Sequence, residues 1–454
     1  MTIVRKRLLI WLLKAYLKKW GKNLFLSFLA GLLIFVLLIT IGRYFSHLLP
    51  QRKERIGVVG AYQLNTLPYF FTSQLSRGLT KVDNNGIVRP DIAKSWKIED
   101  GGKTYIFYLQ ENLTFSNGEK VTSDKINYKF EDVKVERPDD YTLIYKLKDA
   151  YSPFLVTVSR PIFRKGLIGV GKIKVTDIEL NGEFISSLTI RSADKEVKNQ
   201  TYIFYPNQEA VKMSFLLGET TKITDINDPI IHNSSLISFP NVKFTRQTNY
   251  NRLVTLFYNT SDSFLSETKL RRGLTFALPN SFDGGERAYL PYSPKSYYYN
   301  RDIEKPTQDL EHAKLLIDAV KNSASASGKL QLTIKTLKRY RKDAQIIANS
   351  WKSIGIQTRI EEVSSVPESF QVYLGDFTIP KDPDQYVLWH SSQRYKTNIT
   401  KLNNLRIDKL LEDGRKTIDI QKRKKIYADF QRFLLEESPA AFLYFPTTYT
   451  IVRN

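Results

Sequence analysis

Hydrophobic and polar residues follow two periods along this chain, one typical of strands and one typical of helices. Residues 104–109 (TYIFYL) are β-branched and aromatic, which predicts a strand that is apolar on both faces. Residues 309–320 carry apolar side chains at helical spacing. Helices and strands alternate from there onward, and this alternation predicts an α/β lobe. The further predicted helices are residues 207–217, 341–354 and 419–437, and the further predicted strands are residues 56–60, 141–147, 187–190, 201–205, 252–259 and 329–336.

Residues 78–130 contain three turn signals, at Asn84–Gly86, Asp100–Gly102 and Asn117–Gly118. Asn and Gly tolerate the positive φ that tight hairpin turns require. After the third turn, residues 122–124 (TSD) offer helix N-cap chemistry, and we predict a helix through Ile126 and Phe130. The pattern therefore predicts a short domain of hairpins and one helix.

The first 50 residues differ from the rest of the chain in charge and hydrophobicity. They hold eight Lys or Arg and no acid, and residues 24–41 form a run of 18 residues without charge. At about 1.5 Å per residue such a helix spans roughly 27 Å, close to the hydrocarbon thickness of a bilayer. We predict a basic cytoplasmic or interfacial segment (1–23), one transmembrane anchor (24–45) and a linker (46–55).

A cleaved signal peptide is the alternative interpretation of this segment. The apolar part of a signal peptide has about 7–15 residues and ends in small residues. Here the apolar run is longer, and the residues that follow (GRYF, 42–45) offer no small-x-small site. The Lys and Arg before the run predict a single-pass protein of the cell membrane with a cytoplasmic N-terminus, and with everything after about residue 50 outside.

Length and composition exclude several classes of protein. The 454 residues are too many for one ordinary core, which predicts two or three packed units. The chain has no cysteine, which excludes disulfides, thiol catalysis and zinc–thiolate sites. The net charge of +22 is dispersed and accompanies no RNA- or DNA-binding motif, so we interpret it as a solvated surface and expect no nucleic-acid partner.

The chain carries no recognisable catalytic motif. It has no nucleophile elbow, HExxH, P-loop or dinucleotide fingerprint. The four histidines, which are His47, His232, His312 and His390, are scattered, and no two lie at metal-ligand spacing. We therefore predict a protein that is not an enzyme and needs no metal or cofactor.

The order and spacing of residues 78–130 are more specific than their turns. The run GL…D…G…P.IA.SW.I.DGGKTY.F.L.ENL.FSNGE..TSD resembles the family 5 solute-binding proteins, which are the peptide and nickel receptors of ABC importers. Blocks at 64–68, 268–278, 355–360 and 423–445 also resemble this family, so the matches cover most of residues 56–454. The resemblance implies a two-lobed α/β fold of the type II periplasmic-binding-protein class, with an extra β-rich subdomain.

The resemblance also implies domain boundaries. The N-terminal lobe is expected at 56–250, completed by 439–454, with the β-rich subdomain at about 76–160. The second lobe is expected at 251–438. Members of the family usually continue with a helix after the position of Leu278, whereas this chain reads PNSFDGG. We therefore expect that helix to be lost or shortened.

The resemblance further implies where a ligand is held. Residues 370–374 are expected to form a strand that opens at Gly375 into an acidic loop (GDFTIPKDPDQY, 375–386) on the wall between the lobes. Peptide-binding members hold the ammonium group of the peptide with an aspartate just upstream of the Asp-Pro-Asp match. Here residues 378–381 (TIPK) contain no acid, and Asp376 is displaced. This departure argues against recognition of an ammonium group.

The candidate ligand residues combine this loop with aromatic and polar groups. Asp382 and Asp384 either face the ligand or cap the helix that follows. The aromatic residues either line the cavity or belong to the core, and Asn398 lines the cavity or shapes a turn. The predicted ligand-binding residues are Tyr69, Phe71, Tyr373, Gly375, Asp376, Asp382, Asp384, Trp389 and Asn398.

The expected function follows from the resemblance and the predicted anchor. The chain is expected to be a membrane-anchored receptor that binds a peptide or similar small solute between its lobes and passes it to ABC permease subunits in the same membrane. Two alternatives stay open. One is a scaffold or interaction protein that keeps the fold with a degenerate cleft, and the other is an enzyme acting on wall peptides.

Overall fold

The computed structural model of the protein describes residues 2–45, 54–192, 199–323 and 331–453. The chain divides into two compact units, Met1–Lys53 and Glu54–Asn454. Most of the predicted linker, residues 46–53, lies outside the described residues.

The first unit contains one helix, α1 (Thr2–Phe45). Among the described residues, no helix taken alone has the length and apolar character needed to cross a bilayer. Residues 14–23 and 25–37, which bend by 50° relative to each other, reach that length and composition only as a pair. The anchor predicted at 24–45 therefore stays a prediction.

The second unit begins with short strands and small helices. Its elements up to residue 192 are β1 (Glu54–Val59), α2 (Tyr69–Leu75), β2 (Thr80–Val82), β3 (Val88–Pro90), β4 (Ala93–Glu99), β5 (Thr104–Leu109), β6 (Val133–Asp139), β7 (Thr142–Leu147), α3 (Phe154–Thr157), β8 (Phe163–Arg164), β9 (Ile168–Gly169), β10 (Ile173–Asn181) and β11 (Phe184–Ser192).

Longer helices enter in the remainder of the unit. From residue 199 to 323 the elements are β12 (Gln200–Tyr205), α4 (Gln208–Leu217), β13 (Lys222–Ile226), β14 (Ile230–Ile231), β15 (Ser234–Ser235), β16 (Val242–Thr248), β17 (Arg252–Tyr258), α5 (Thr268–Phe276), β18 (Gly285–Arg287) and α6 (Leu310–Ser323). From residue 331 onward they are β19 (Gln331–Leu337), α7 (Arg341–Ser353), β20 (Gln357–Val363), β21 (Val372–Thr378), α8 (Tyr386–Trp389), α9 (Leu405–Lys416), α10 (Ile420–Glu437) and β22 (Ala440–Arg453).

One large sheet connects the two halves of this unit. Its strand order is β10-β11-β12-β1-β13-β22-β17-β21-β19-β20, and β16 and β18 also pair with β22. The long strand β22 is shared, because residues 447–453 pair with β16 whereas residues 440–446 pair with β17 and β18. We call the part built on β1, β10–β13 and β16 the first lobe, and the part built on β17–β21 the second lobe.

Each lobe has its own apolar core. In the first lobe, Phe71 packs edge-to-face on Tyr202, with ring centres 4.8 Å apart. In the second lobe, Trp351 of α7 is fully buried and its Nε1 donates to the carbonyl of Leu274 in α5, at 3.0 Å. This bond ties α7 to α5, and it satisfies a polar group that would otherwise be buried without a partner.

The β-rich subdomain is an antiparallel sheet of order β4-β5-β7-β6 with α3 against it. The predicted helix through Ile126 and Phe130 is wrong, because only a 3₁₀ turn forms, at Ser123–Lys125. Arg137 donates to the carbonyl oxygens of Ser123 and Ile126, at 2.9 and 3.1 Å. The carbonyl oxygens of Ser123 and Ile126 bind this guanidinium, and the segment does not continue as an α-helix. The side chain of Ile126 is nevertheless buried in the core.

Two further expectations concern the second lobe. The chain from α5 to α6 contains only the short strand β18 among its described helices and strands, as expected from the loss of a helix after Leu278. The strand expected at 370–374 is instead Val372–Thr378, because Gly375 and Asp376 pair with Thr255 and Val254 of β17. The loop thus begins four residues later than expected.

Candidate functional site

A cleft of about 2270 Å³ lies between the two lobes. Its walls come from β1, α2 and β13 on the first lobe and from the start of α7 and the end of β21 on the second. Drug-sized ligands usually occupy sites of about 300–1,000 Å³. The cleft therefore has room for a considerably larger solute, such as an oligopeptide.

The chain crosses between the lobes at two places beside the cleft. One crossing is β22 itself, and the other is the turn Asn249–Asn251 between β16 and β17. The crossings are bonded to each other, since the amide of Asn249 donates to the carbonyl of Pro446 at 2.8 Å. Two adjacent crossings of this kind form a hinge, about which the lobes can open and close.

Aromatic side chains cover much of the cleft wall. Tyrosines give a binding site a rigid apolar face and a hydroxyl that forms hydrogen bonds. This combination suits a solute with both apolar and polar groups. The aromatic residues that line the cleft are Tyr62, Tyr69, Phe70, Tyr202, Tyr250, Tyr292, Tyr340, Tyr444 and Tyr449.

The charged groups on the first-lobe wall are largely paired with one another. Lys212 is 1% exposed, and its Nζ lies 2.6 Å from Glu209 and 3.6 Å from Asp228. Asp83 is paired with Arg89 at 3.1 Å. Lys222 is paired with Glu54 at 3.5 Å. Asp225 also lines this wall and has no ion pair among the described residues, so the first-lobe wall presents a small excess of negative charge.

The second-lobe wall is more basic. Asp376 lies just behind it, 2.5 Å from Arg339 and 3.7 Å from Arg252, and both arginines line the cleft. Lys338 and Lys342 also line the cleft, and they are exposed. Within the described residues, neither lysine has a hydrogen-bond or ionic partner.

A buried carboxyl group lies beside these lysines. Asp343, in the first turn of α7, accepts a hydrogen bond from Tyr444 Oη at 2.6 Å. Burial raises the pKa of Asp343, the hydrogen bond from Tyr444 opposes that rise, and the nearby charge of Asp283 adds to it. Asp343 thus contributes less negative charge to the wall than an exposed aspartate.

Of the predicted ligand residues, Tyr69 lines the cleft. It begins α2, and its ring lies under the ammonium group of Lys381, with Nζ 3.3 Å from the ring centre. This contact joins the two lobes across the cleft, since Lys381 follows β21 of the second lobe. The interaction is a cation–π pair.

The other predicted aromatic residues lie in the cores and not on the cleft wall. Phe71 is fully buried, two residues after Tyr69 on the opposite side of α2. Tyr373 is stacked on Phe257 in the core of the second lobe. Trp389 is 1% exposed, and its Nε1 donates to Gln385 Oε1 at 2.8 Å. Apolar burial explains all three positions.

The predicted acidic residues form ion pairs inside the protein. Asp382 forms a two-pronged pair with Arg423, at 2.5 and 3.0 Å. Asp384 is bound to Arg415 at 2.7 Å and also accepts from the amide of Tyr386, but the N-cap residue of α8 is Gln385, so neither aspartate is the predicted helix cap. Burial raises the pKa of Asp384, and Arg415 opposes that rise. Neither carboxylate lines the cleft.

The last two predicted residues, Gly375 and Asn398, are also away from the cleft wall. Gly375 is buried within β21. Asn398 is 1% exposed; its amide donates to the carbonyl groups of Trp389, His390 and Leu402, and its Oδ1 accepts from Thr400. These four bonds stabilise the loop, in line with the turn alternative for Asn398.

Sequence reasoning missed the basic residues at the start of α7. Their signal was present as the run Lys338-Arg339-Tyr340-Arg341-Lys342 directly after a strand. A run of cations is usually a solvated surface, and nothing in the local sequence indicates that this one faces a cleft. Only the folded structure shows that this run, which follows the end of β19, lies on the cleft wall.

Comparisons with known proteins place this geometry in a family. Residues 88–134 and 193–398 match the model of the bacterial extracellular solute-binding proteins, family 5. These residues are more than half of the chain. The chain belongs to family 5. Members of this family are extracytoplasmic binding proteins.

Relatives and solved structures agree with this assignment. The oligopeptide-binding protein AppA of Bacillus subtilis is 28% identical over 440 residues, covering 82% of this chain and 80% of AppA. The structure of that AppA with a nonapeptide matches with a TM-score of 0.66 and 22% identity, over 88% of this chain and 94% of AppA. The structure of NikZ from Campylobacter jejuni with Ni(L-His) matches with a TM-score of 0.72 and 20% identity, over 89% of this chain and 95% of NikZ.

The expected fold and function are therefore confirmed at the level of the family. The chain has the two-lobed α/β fold of family 5. It is a solute-binding receptor of the type that serves ABC importers, and the scaffold alternative is not favoured.

Proposed function

We propose that this receptor binds a peptide or a similar small solute in the cleft and delivers it to ABC permease subunits. The observation that carries the proposal is the open cleft of about 2270 Å³ between two lobes, with aromatic rings and charged groups on its walls. A protein retained only as a scaffold has no need for such a cleft. The oligopeptide-binding relative and the nonapeptide complex support the same ligand class.

Binding is expected to favour the closed arrangement of the lobes. The hinge at Asn249–Asn251 and β22 permits this motion, and the Lys381–Tyr69 contact joins the lobes when they are near each other. A solute that touches both walls binds the closed form better than the open one. Its apparent affinity is the affinity of the closed form multiplied by the fraction of time that the free protein spends closed.

A membrane anchor is the second part of the proposal. The charge-free run at 24–41 and the basic residues before it support a helix that holds the receptor at the membrane with its N-terminus in the cytoplasm. An anchored receptor stays close to the permease in the same membrane. Fractionation of cells, followed by detection of the full-length chain in the membrane pellet after a carbonate wash, tests this part.

The proposed role involves binding without catalysis. His390 contacts Ser392 Oγ through Nδ1 at 2.9 Å and Glu412 through Nε2 at 3.4 Å. None of the three residues lines the cleft, and the hydroxyl of Ser392 also contacts Tyr386. This cluster therefore gives no reason to prefer the enzyme alternative.

Ligand binding is tested with the full-length chain in detergent. Isothermal titration with pooled peptides of two to nine residues should give saturable binding. An Asn84→Trp variant places a large ring at an exposed position of the cleft wall and should weaken binding, whereas Asn112→Trp, at an exposed turn away from the cleft, should not. Absence of binding by every pool would contradict the proposed function and favour the scaffold alternative. Hydrolysis of the peptides would favour the enzyme alternative.

A further inference from the structure

Lys338 and Lys342 are two free ammonium groups on the wall of a binding cleft. Both are exposed and line the cleft, and neither has a hydrogen-bond or ionic partner within the part of the chain that the structure describes. Lys338 directly follows β19 and Lys342 lies in the first turn of α7. The end of a strand and the start of the next helix thus present both lysines to the same cleft.

The rest of this wall does not neutralise them. Four more cations line it, namely Arg252, Lys295, Arg339 and Lys381. The carboxylates of the wall are Asp283 and the buried Asp343, and Asp376 lies behind it between Arg252 and Arg339. Cations therefore outnumber acids on the second-lobe wall. On the first-lobe wall Lys212 and Lys222 are paired with acids, and Asp225 adds a further carboxylate.

The position of these cations costs stability in the free protein. Helix dipoles are positive at the N-terminus, and cations are disfavoured there. Lys338 and Lys342 lie at the start of α7 beside Arg339 and Arg341, and among the described residues only the two arginines have acidic partners there, Asp376 and Glu362. Residues that are locally unfavourable to the fold are expected at functional sites, where a bound ligand can offset their energetic cost. An anion in the cleft would offset both the dipole and the mutual repulsion.

The chain also supplies a cation of its own near the Asp-Pro-Asp segment. Lys381 immediately precedes Asp382, and its ammonium group lies over the ring of Tyr69. The nearby carboxylates are already bound, Asp382 to Arg423 and Asp384 to Arg415. A ligand ammonium group placed here would meet a like charge and no free carboxylate.

We propose that the solute of this cleft is anionic, and that Lys338 and Lys342 bind its carboxylate or phosphate group without any requirement for a free amino group. This inference rests on the proposed function, since it names the chemical class of the ligand for the same cleft. A clustered positive wall in a cleft also attracts anions from a distance. Binding should therefore weaken as salt increases.

The ligand class is tested with one peptide library in four forms. The forms are free at both ends, N-acetylated, C-amidated, and blocked at both ends. A fifth arm contains phosphopeptides that are blocked at both ends. We expect acetylation to preserve binding in isothermal titration. Amidation should weaken it at least 10-fold unless an acidic side chain or a phosphate supplies the anion.

Variants test which residues hold the anion. The double variant Lys338→Gln/Lys342→Gln should raise the Kd of the tightest-binding anionic peptide by about 10- to 100-fold, the range expected for loss of charge-assisted hydrogen bonds. Lys352→Gln is the matched control, because Lys352 is an exposed lysine at the other end of α7 and does not line the cleft. It should leave the Kd unchanged.

The possible failures are distinguishable. If peptides bind but acetylation abolishes binding while amidation does not, the anionic class is overturned and the proposed function stands. Unchanged affinity of the double lysine variant would overturn the assignment of the two lysines. If no form binds at all, the proposed function fails, and this inference fails with it.

Discussion

Two groups of charged residues in the second lobe differ in how they are paired. Asp382–Arg423 and Asp384–Arg415 are buried or half-buried pairs with contacts of 2.5 to 2.7 Å. Lys338 and Lys342 are exposed on the cleft wall and have no partner among the described residues. The first group lies in the segment that the resemblance marks for ligand binding, yet the second group faces the ligand space.

The difference shows how pairing separates structural charges from ligand-binding charges. A buried charge is tolerated only with a partner that compensates its lost hydration. Such a pair has little remaining capacity for a ligand. A solvated charge on a cleft wall remains able to bind a ligand, and it loses its hydration only when the ligand binds. The presence of a partner is therefore more informative than the acidic motif alone.

The largest expected effect is a loss of stability when Asp382 is removed from its buried ion pair with Arg423. Asp382→Ala leaves the guanidinium of Arg423, which is 5% exposed, without its counter-charge. We expect the free energy of unfolding to fall by about 3–5 kcal/mol, measured by urea denaturation. Asp413→Ala, which removes the exposed pair with Lys409, should change it far less. A loss of about 1 kcal/mol or less for Asp382→Ala, as in exposed pairs, would contradict the structural role.

A smaller effect is expected from reversing one charge on the cleft wall. Lys342→Glu places an acid at the positive end of α7, so the ligand-free protein should gain about 0.3–1 kcal/mol in unfolding free energy. The same variant should bind anionic peptides more weakly. Lys352→Glu, at the opposite end of the helix, should lower stability by a similar amount and leave binding unchanged. A Lys342→Glu protein that is less stable than the parent would show that Lys342 contributes to the fold.

The smallest effect concerns Asp343, the buried carboxyl group next to Lys342 in α7. Its pKa is raised in the folded protein, chiefly by burial, so the folded state holds this proton more tightly than the unfolded state. Its contribution to stability is therefore greatest at low pH. That contribution decreases as the pH rises from about 3.8 through the folded pKa, and the loss persists above it.

Asp343→Asn should accordingly be more stable than the parent at pH 7. The advantage should shrink as the pH falls through the raised pKa of Asp343 toward the ordinary aspartate value of 3.8, and thermal unfolding across pH measures it. Asp302→Asn is the control at an exposed position away from the cleft. A destabilised Asp343→Asn protein at pH 7 would mean that the ionised carboxylate is needed by Tyr444.

Local patterns were reliable where one segment carries all the necessary information. The helix predicted at 207–217 forms at Gln208–Leu217, because Asn207 caps its start and Gly218 ends it with φ of 77°. The helix predicted through Ile126 and Phe130 does not form, because Arg137, eleven residues further along, takes the carbonyl groups of that segment. The strand that contains Gly375 and Asp376 extends further than predicted because β17 pairs with it.

The sequence by itself determined the family, the helices and strands of the second lobe other than β18 and α9, and the absence of disulfide and thiol chemistry, because these depend on composition and on residues that are near one another in the chain. Only the tertiary structure decided which side chains face the cleft. Tyr69 and Phe71 are two residues apart, yet one lines the cleft and the other is in the core. Asp382 is bound by Arg423, which is 41 residues away in the chain. Such long-range pairing sets the burial and charge of each group, and no local pattern specifies it.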